Sequence, residues 1–293
     1  MRFFLAQLWR FAWLEARCCA FAVAVFGGLA LSKIVPLPIP RYDALLGYCV
    51  LVTVLFRLFG WESTRDVLVI AGFHLMGLVF ELVKVPLGSW AYPEPAFTKV
   101  AGVPLYSGFL YAAVGSYVVA AWRLFELRVS GYLAAPTAAV ATAIYVNLIT
   151  HHWLPDLRWP LAGLLVAVTW RATVHFTVDG CRYRMPLALS FVLIGFFLWV
   201  AENIATFFGA WRYPHQLEAW RLVDPAKFGS WAMLISVTFV LVAAFRSRSG
   251  GLTEPGYRYL SRLSPKPVAT SPSNVRDASM PSAHSSSRPT SRR

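Results

Sequence analysis

Residues 81 to 93 read ELVKVPLGSWAYP, and residues 202 to 214 read ENIATFFGAWRYP. Both stretches follow the pattern Glu-x6-Gly-x-Trp-x-Tyr-Pro, and the offset between Glu81 and Glu202 is 121 residues without a gap. The same offset places two further residue pairs opposite each other, Pro104 with Pro225 and Gly108 with Gly229. The spacing therefore predicts an internal duplication of the chain.

The composition indicates a protein that lies in a lipid bilayer. Hydrophobic residues make up 57% of the chain and charged residues 14%, and the mean hydropathy is +0.55. Soluble domains carry about 25% charged residues. Each of the two glutamates lies inside a long apolar segment, where a charge is costly and usually has a function.

Apolar runs of about the length that crosses a hydrocarbon core, roughly 20 residues, occur at eight places. Adding 121 to the first four runs gives positions close to the last four, and an even number of spans per half makes the repeat parallel. The sequence thus predicts an all-α polytopic membrane protein with about eight transmembrane helices in a tandem 4+4 repeat. The predicted spans lie near residues 18 to 36, 43 to 60, 66 to 86, 104 to 125, 132 to 152, 159 to 178, 186 to 208 and 229 to 245.

Four segments follow from these patterns. Gln7, Arg10 and Arg17 form a polar stripe at helical spacing, so residues 1 to 17 are predicted to be an interfacial amphipathic lead-in. Two four-helix repeats cover residues 18 to 125 and 126 to 245. Residues 246 to 293 are rich in Ser, Pro and Arg and are predicted to be a disordered basic tail.

Charge distribution predicts the topology and the partners. More Lys and Arg residues flank the spans on the side of the N-terminus, which favours a multi-pass protein with both termini in the cytoplasm. The tail and the loops near anionic lipid account for most of the net charge of +13, so the bilayer and not nucleic acid is the expected partner. The four cysteines lack metal-ligand spacing. The sequence leaves the oligomeric state open.

The unusual polar residues of this topology converge at one face of the membrane. Each glutamate precedes its glycine by seven residues, which places it about 10 Å below the helix end. We expect Glu81 and Glu202 to face each other across a pseudo-two-fold axis and to be the catalytic pair. The expected substrate-binding residues around them are His74, Lys84, Trp90, Tyr92, His151, His152, Asp156, Arg158, Trp211, Tyr213 and Lys227.

A purely structural interpretation of these residues is also open. Tryptophan and tyrosine after a helix end are typical of the interfacial aromatic belt, and Glu81 could pair with Lys84 one turn away. Glu202 has no basic residue within four positions. It therefore needs a partner on another helix, such as Lys227 or Arg158, or it stays protonated.

Several motifs resemble a known family. They are His74-x6-Glu81-x2-Lys84-x3-Gly88-Ser89-Trp90-x-Tyr92-Pro93-Glu94, then Gly102-Val103-Pro104-Leu105-x-Ser107-Gly108-Phe109, Thr150-His151-His152 and Asp156-x-Arg158-Trp159. Together they resemble the bacterial membrane family of domain of unknown function 817 (YoaT-like), over about residues 1 to 245. This resemblance implies a polytopic inner-membrane protein and no particular activity.

A weaker resemblance suggests a chemistry. The stretch from Glu81 to Gly108, and in part that from Glu202 to Gly229, is similar to bacterial carotenoid hydratases and lycopene cyclases. Those membrane proteins imply an acidic residue that protonates a polyene. The span count and the His151-His152 segment depart from their pattern.

Four functions remain open from sequence. The first is an intramembrane enzyme that acts on an isoprenoid or another lipid, because low dielectric keeps a carboxylic acid protonated and able to act as a general acid. No cofactor is expected, since dinucleotide, haem and flavin motifs are absent from the sequence. The alternatives are a small-solute or proton-coupled transporter, a metal site of His151, His152, Asp156 and the glutamates, and a non-catalytic membrane scaffold.

Overall fold

A computed structural model describes residues 2 to 248, and this part of the chain is mostly helical. Its nine α-helices are α1 (Arg2–Cys18), α2 (Ala20–Ile34), α3 (Arg41–Leu58), α4 (Thr64–Lys84), α5 (Gly108–Leu124), α6 (Ala134–Thr150), α7 (Arg158–Thr169), α8 (Leu187–Phe207) and α9 (Ala226–Arg248). Its strands are β1 (Lys99–Val100), β2 (Val103–Pro104), β3 (Arg128–Ser130), β4 (Thr173–Val178) and β5 (Cys181–Pro186). Short 3₁₀ turns cover Leu105–Ser107 and Pro214–Gln216.

Four described segments are long and apolar enough to cross a membrane. A fifth candidate is the pair α1 and α2, which pass the same test together and are bent by 62° where they meet. The protein thus has four to five candidate spans in its described part, so a helical protein with membrane-spanning segments is supported, whereas the predicted eight spans and the 4+4 repeat are not confirmed. The four are Thr64–Lys84, Leu105–Leu124, Leu187–Phe207 and Ala226–Phe245.

One predicted span has a different structure. Residues 159 to 178 were expected to form one helix, but α7 has only 12 residues, which is about 18 Å at 1.5 Å per residue. The chain then enters a β-hairpin of β4 and β5. Asp179 and Gly180 connect these strands with φ of 49° and 77°, as a two-residue Asp-Gly turn requires. Four of the six residues of β4 are β-branched, which favours the strand over a longer helix.

The helix pairs that carry the two glutamates are closely packed. Helix α4 packs along α5 and α8 along α9, while α5 also contacts α9. Helix α2 contacts α3 and α5, and α6 contacts α7 and α9. A Cβ atom on Gly195 would lie 2.6 Å from the backbone of Ala232, so only glycine permits the observed approach of α8 to α9.

Helix ends position the loops above the glutamates. Helix α4 starts at a capping box in which Ser63 and Asp66 bond each other's backbone N–H. After α4 and α8 the chain turns through Gly88 (φ 72°) and Gly209 (φ 67°), a backbone conformation that glycine adopts without steric cost. Each turn directs the following Trp-x-Tyr segment back over the end of its helix.

The N-terminal helix uses its polar stripe for contacts within the protein. Gln7 is buried and its Nε2 approaches the sulfur of Cys181 at 3.6 Å, and Arg10 forms an ion pair with Asp179. Large apolar side chains such as Trp9 lie on the exposed surface of α1. The predicted interfacial position of residues 1 to 17 stays a prediction.

The C-terminal boundary differs slightly from expectation. The tail was predicted to begin at residue 246, but α9 continues to Arg248. The rest of the predicted disordered tail, residues 249 to 293, lies outside the described residues.

Candidate functional site

A cavity of about 150 Å³ lies at the end of the bundle where α4, α6 and α8 end and α5, α7 and α9 begin. Nine of the residues predicted for the site line it, namely Glu81, Lys84, Trp90, His151, Arg158, Glu202, Trp211, Tyr213 and Lys227. The rest of its wall is Phe80, Ser89, Leu110, Tyr111, Val114, Leu148, Ser230, Trp231 and Leu234. Both glutamates therefore contribute to one cavity, whose wall includes six Phe, Tyr and Trp side chains.

Glu81 lies on the last turn of α4 and is 3% exposed. The indole Nε1–H of Trp90 donates a hydrogen bond of 2.7 Å to its Oε2. The hydroxyl of Tyr111, from α5, bonds its Oε1 at 2.9 Å. An indole only donates, so Oε2 must act as an acceptor and any proton on the carboxyl belongs to Oε1, next to the tyrosine.

Glu202 lies near the end of α8 and is 4% exposed. The hydroxyl of Tyr213 bonds its Oε1 at 2.5 Å, and the indole of Trp231 donates to its Oε2 at 2.8 Å. Desolvation by burial raises the pKa of the Tyr213 hydroxyl well above its ordinary value, so this hydroxyl keeps its proton at neutral pH. Both glutamates thus have one indole and one phenol, one on each oxygen.

Neither glutamate forms an ion pair within the described residues. The pairing of Glu81 with Lys84 that sequence left open is absent, because Lys84 Nζ instead lies 3.3 Å from Nδ1 of His151. Arg158 is paired with Asp156. Neutral donors, not cations, therefore satisfy the oxygens of both carboxyl groups.

Three cationic side chains line the cavity. Lys84 is 3% exposed. Lys227, in the first turn of α9, has its Nζ 4.9 Å from the ring centre of Tyr213 and 5.9 Å from that of Trp90. Arg158 bonds Asp156 through Nε and Nη2, and its Nη1 lies 3.4 Å from the hydroxyl of Ser230. The cavity combines two carboxyl groups, three cations and aromatic walls.

Four predicted site residues are not part of the cavity wall. The ring of His74 packs at 4.4 Å against that of Phe109. Tyr92 is buried between Tyr42 and Tyr106. His152 stacks on His151 at 4.4 Å and contacts Ser89.

The fourth of these residues is Asp156, which supports the cavity from outside. Its hydrogen bond with the Arg158 side chain lowers the pKa of its carboxyl. The hypothesis of a metal site is not supported, because no group of three or more metal-ligating side chains occurs in the described part of the chain.

Two residues that were not predicted from sequence, Tyr111 and Trp231, complete the two carboxyl environments. Both lie near the start of a helix, on α5 and α9, at the level of the glutamates. Their position about one turn inside those helices was the sequence feature that places them at the depth of the glutamates. Their roles depend on packing between helices, which spacing along one helix does not reveal.

The two loops above the cavity bond directly to each other. The backbone N–H of Ala91 donates to the carbonyl of Arg212 and that of Arg212 to the carbonyl of Ala91, both at 2.9 Å. The rings of Trp90 and Tyr213 meet edge to face at 6.1 Å. This contact joins the loop after α4 to the loop after α8 and closes the cavity on that side.

A family model described as "Protein of unknown function (DUF817)" matches residues 7 to 239. The chain belongs to this family. Within the DUF817 family, a protein of Bacillus subtilis (strain 168) named "Uncharacterized protein YoaT" is 49% identical over 245 residues, which cover 82% of this chain and 92% of that relative. No solved structure matches significantly. The family resemblance inferred from sequence is confirmed, whereas these matches do not show the resemblance to carotenoid hydratases and lycopene cyclases.

Proposed function

We propose that this DUF817 protein is an intramembrane acid–base enzyme that protonates an isoprenoid or another unsaturated lipid. The observation that carries the proposal is the pair of buried glutamates in one cavity, each bonded by an indole and a phenol and neither paired with a cation. A carboxyl group in such surroundings can exist without its charge, and general acid catalysis needs a protonated carboxyl.

The proposed reaction is the addition of water to a carbon–carbon double bond, or the closure of a ring. One carboxyl O–H transfers its proton to an alkene carbon, and the electron pair of the double bond forms the new C–H bond. The carbocation at the other carbon is stabilised by the faces of Trp90, Trp211 and Tyr213. The second carboxylate then takes the proton of the attacking water, or that of a neighbouring carbon in ring closure.

The tyrosines have a defined part in this scheme. Tyr111 and Tyr213 both line the cavity and bond the carboxyl oxygen that the indole leaves free. A hydroxyl can donate to a carboxylate and accept from a carboxylic acid. Each tyrosine can therefore satisfy its glutamate before and after proton transfer without a change in position.

We further propose that the acids meet because the chain is a tandem 4+4 repeat in which α2, α3, α6 and α7 also lie at membrane depth. In support, Ala91 and Arg212 are 121 residues apart and exchange both of their backbone hydrogen bonds, as a residue does with its own copy at a two-fold axis. The turns at Gly88 and Gly209 share a positive φ. In this topology both termini are cytoplasmic.

Isotope incorporation tests the enzymatic proposal. Membranes of a host that expresses the protein are incubated in D₂O, and their lipids are surveyed by mass spectrometry. We expect at least one lipid to gain a non-exchangeable deuterium. If the reaction is a hydration, the same lipid should also gain a hydroxyl group. Glu81→Gln and Glu202→Gln should abolish this product.

Glu218→Gln is the matched control, because Glu218 is an exposed acid outside the cavity wall, and it should retain the product. No deuterated lipid with wild-type protein would contradict the enzyme. A proton-coupled solute flux in vesicles that also requires both glutamates would identify the carrier that sequence left as the alternative. If neither a deuterated product nor a flux is found, the non-catalytic scaffold is the interpretation that remains.

A further inference from the structure

The mouth of the cavity has a surplus of positive charge. Within the described residues no carboxylate lies within 4.0 Å of Lys84 or Lys227, although Lys84 is buried and Lys227 is largely covered. A buried cation without a counter-charge is costly. The charges of Lys84, Lys227 and Arg158 repel one another, whereas Glu202 and Asp224 attract Lys227 from beyond 4.0 Å without forming an ion pair with it.

These cations are held in place but keep free donors. Lys227 is positioned over the rings of Tyr213 and Trp90, which bond none of its N–H groups. Lys84 has three donors, and His151 contacts one of them. Arg158 is oriented by Asp156, which leaves Nη1 directed at the hydroxyl of Ser230 in the cavity wall.

Cations and acids lie at different depths. Lys84 is one turn nearer to the end of α4 than Glu81, about 4.5 Å along the axis. Arg158 and Lys227 lie in the first turns of α7 and α9, whose N-termini open at the same end. An anion between the three cations would therefore lie above the carboxyl groups.

Below this level the cavity wall is apolar. Phe80, Tyr111, Val114, Trp231 and Leu234 line the cavity and also a narrow crevice of about 20 Å³ that continues between the helices. The other residues of that crevice are apolar or aromatic, apart from Thr238. A ligand with an anionic head at the level of the cations would direct a hydrocarbon chain toward this crevice, which must widen between the helices to admit the chain.

We infer that Lys84, Lys227 and Arg158 bind the phosphate ester head group of an amphiphilic lipid whose chain extends past Glu81 and Glu202. A phosphate monoester carries nearly two negative charges at neutral pH, which suits three cations better than one carboxylate does. Lysine ammonium groups and the guanidinium edge are the usual donors to phosphate oxygens. This inference names the substrate class of the proposed enzyme and rests on that proposal for the chemistry, though not for the binding.

Binding of farnesyl phosphate tests the inference without catalysis. The protein is purified in a non-ionic detergent, and quenching of tryptophan fluorescence is followed, because Trp90, Trp211 and Trp231 line the cavity. Farnesyl phosphate should bind at least about tenfold more tightly than farnesol, since charge-assisted hydrogen bonds exceed neutral ones in strength. Equal affinity for the alcohol would overturn the head-group site.

Variants separate this site from general attraction to basic protein. Lys227→Met and Arg158→Met should each weaken farnesyl phosphate binding at least about tenfold and change farnesol binding little. Arg182→Met on β5 is the matched control, because Arg182 is exposed and remote from the cavity wall. An equal loss in the control would refute the assignment.

Two further arms identify the source of the phosphate and keep the two proposals apart. Inorganic phosphate that binds as tightly as farnesyl phosphate would keep the anion site and refute the lipid as its ligand. Glu81→Gln and Glu202→Gln should still bind farnesyl phosphate. Binding that persists in these variants without any deuterated product from wild-type protein would refute the enzyme and leave the lipid phosphate site standing.

Discussion

The two sides of the protein next to the paired glutamates differ in what they do with their cations. On the cavity side, Lys84 and Lys227 have no carboxylate partner in the described structure and face open space. On the side of α2 and α3, Arg41 donates to the carbonyls of Phe208 and Gly209 and to Glu94. Cationic side chains thus line a cavity on one side, whereas on the other side a cation holds helix ends and a loop together.

Residues at the 121 offset account for the difference. The positions that correspond to Lys84, His151, Arg158 and Lys227 are occupied by Ala205, Ala30, Leu37 and Tyr106. Tyr106 is 1% exposed, and its hydroxyl donates to the carbonyl of Ala210 at 2.5 Å. The aromatic cluster of Tyr42, Tyr92 and Tyr106 fills this side. In the described part of the chain, the two acids thus share a cavity on the side of Lys84 and Lys227, whereas aromatic side chains fill the side of Tyr106.

Glu202→Gln has the largest expected effect. We expect the lipid-modifying activity to fall at least about 100-fold, while the unfolding temperature in detergent stays close to that of wild type. Glutamine keeps an oxygen for the Trp231 indole, and its amide can donate to the Tyr213 hydroxyl. Deuterium incorporation and thermal unfolding measure the two quantities. Loss of folding that Lys227→Met restores would instead assign Glu202 to the architecture.

Arg41→Met and Lys227→Met compare the two sides directly. Removing Arg41 leaves the carbonyls of Phe208 and Gly209 without their side-chain donor and leaves Glu94 with Lys33 alone. We expect a loss of about 2 to 3 kcal/mol in the free energy of unfolding. Lys227→Met removes a cation that forms no ion pair in the described part of the chain, and it should cost less than about 1 kcal/mol. Denaturant unfolding of the two variants measures the difference. Equal losses would remove the distinction between the sides.

Trp90→Phe and Trp231→Phe test whether the two acids are equivalent. Each change removes the indole N–H from one buried carboxyl oxygen and should destabilise by about 1 to 2 kcal/mol. Trp153→Phe is the control, because Trp153 is 64% exposed, and it should have almost no effect. A loss confined to one of the two tested tryptophans would show that only one carboxyl depends on its indole.

Asp156→Asn should have the smallest effect, and it depends on pH. The folded pKa of Asp156 is lowered by Arg158, so its contribution to stability is present above its ordinary pKa of 3.8 and is lost as the pH falls through the lower folded value. Wild type should be slightly more stable than the variant at about pH 6, and the difference should shrink as the pH falls below 3.8. If the stability difference between wild type and Asp156→Asn increased as the pH fell, the prediction would be wrong.

Sequence patterns predicted the acids better than their partners. Glu81 and Glu202 were found from a repeated motif in apolar segments, and the structure brings both into one cavity. Lys84 was a candidate partner of Glu81 because three residues separate them along the helix. The contact with His151 prevailed because α6 ends beside α4, which no spacing within α4 indicates.

Some elements of the fold were likewise predictable from sequence, and others were not. Hydropathy located the long helices α4, α5, α8 and α9 to within a few residues. It misassigned residues 173 to 178, since an apolar run of β-branched residues has the same hydropathy in a strand as in a helix. The turn at Asp179 and Gly180 carried the local signal that was overlooked.

The sequence by itself determined that the chain is mostly helical, with segments apolar enough to cross a bilayer, and it singled out the two acids that share a cavity. Composition, apolar length and a repeated motif are properties of the chain alone. Only the tertiary structure decided that Tyr111 and Trp231 complete the carboxyl environments and that, among residues 2 to 248, no carboxylate lies within 4.0 Å of Lys227. Those outcomes depend on how helices far apart in sequence pack against one another. Side-chain spacing along a single helix contains no information about that packing.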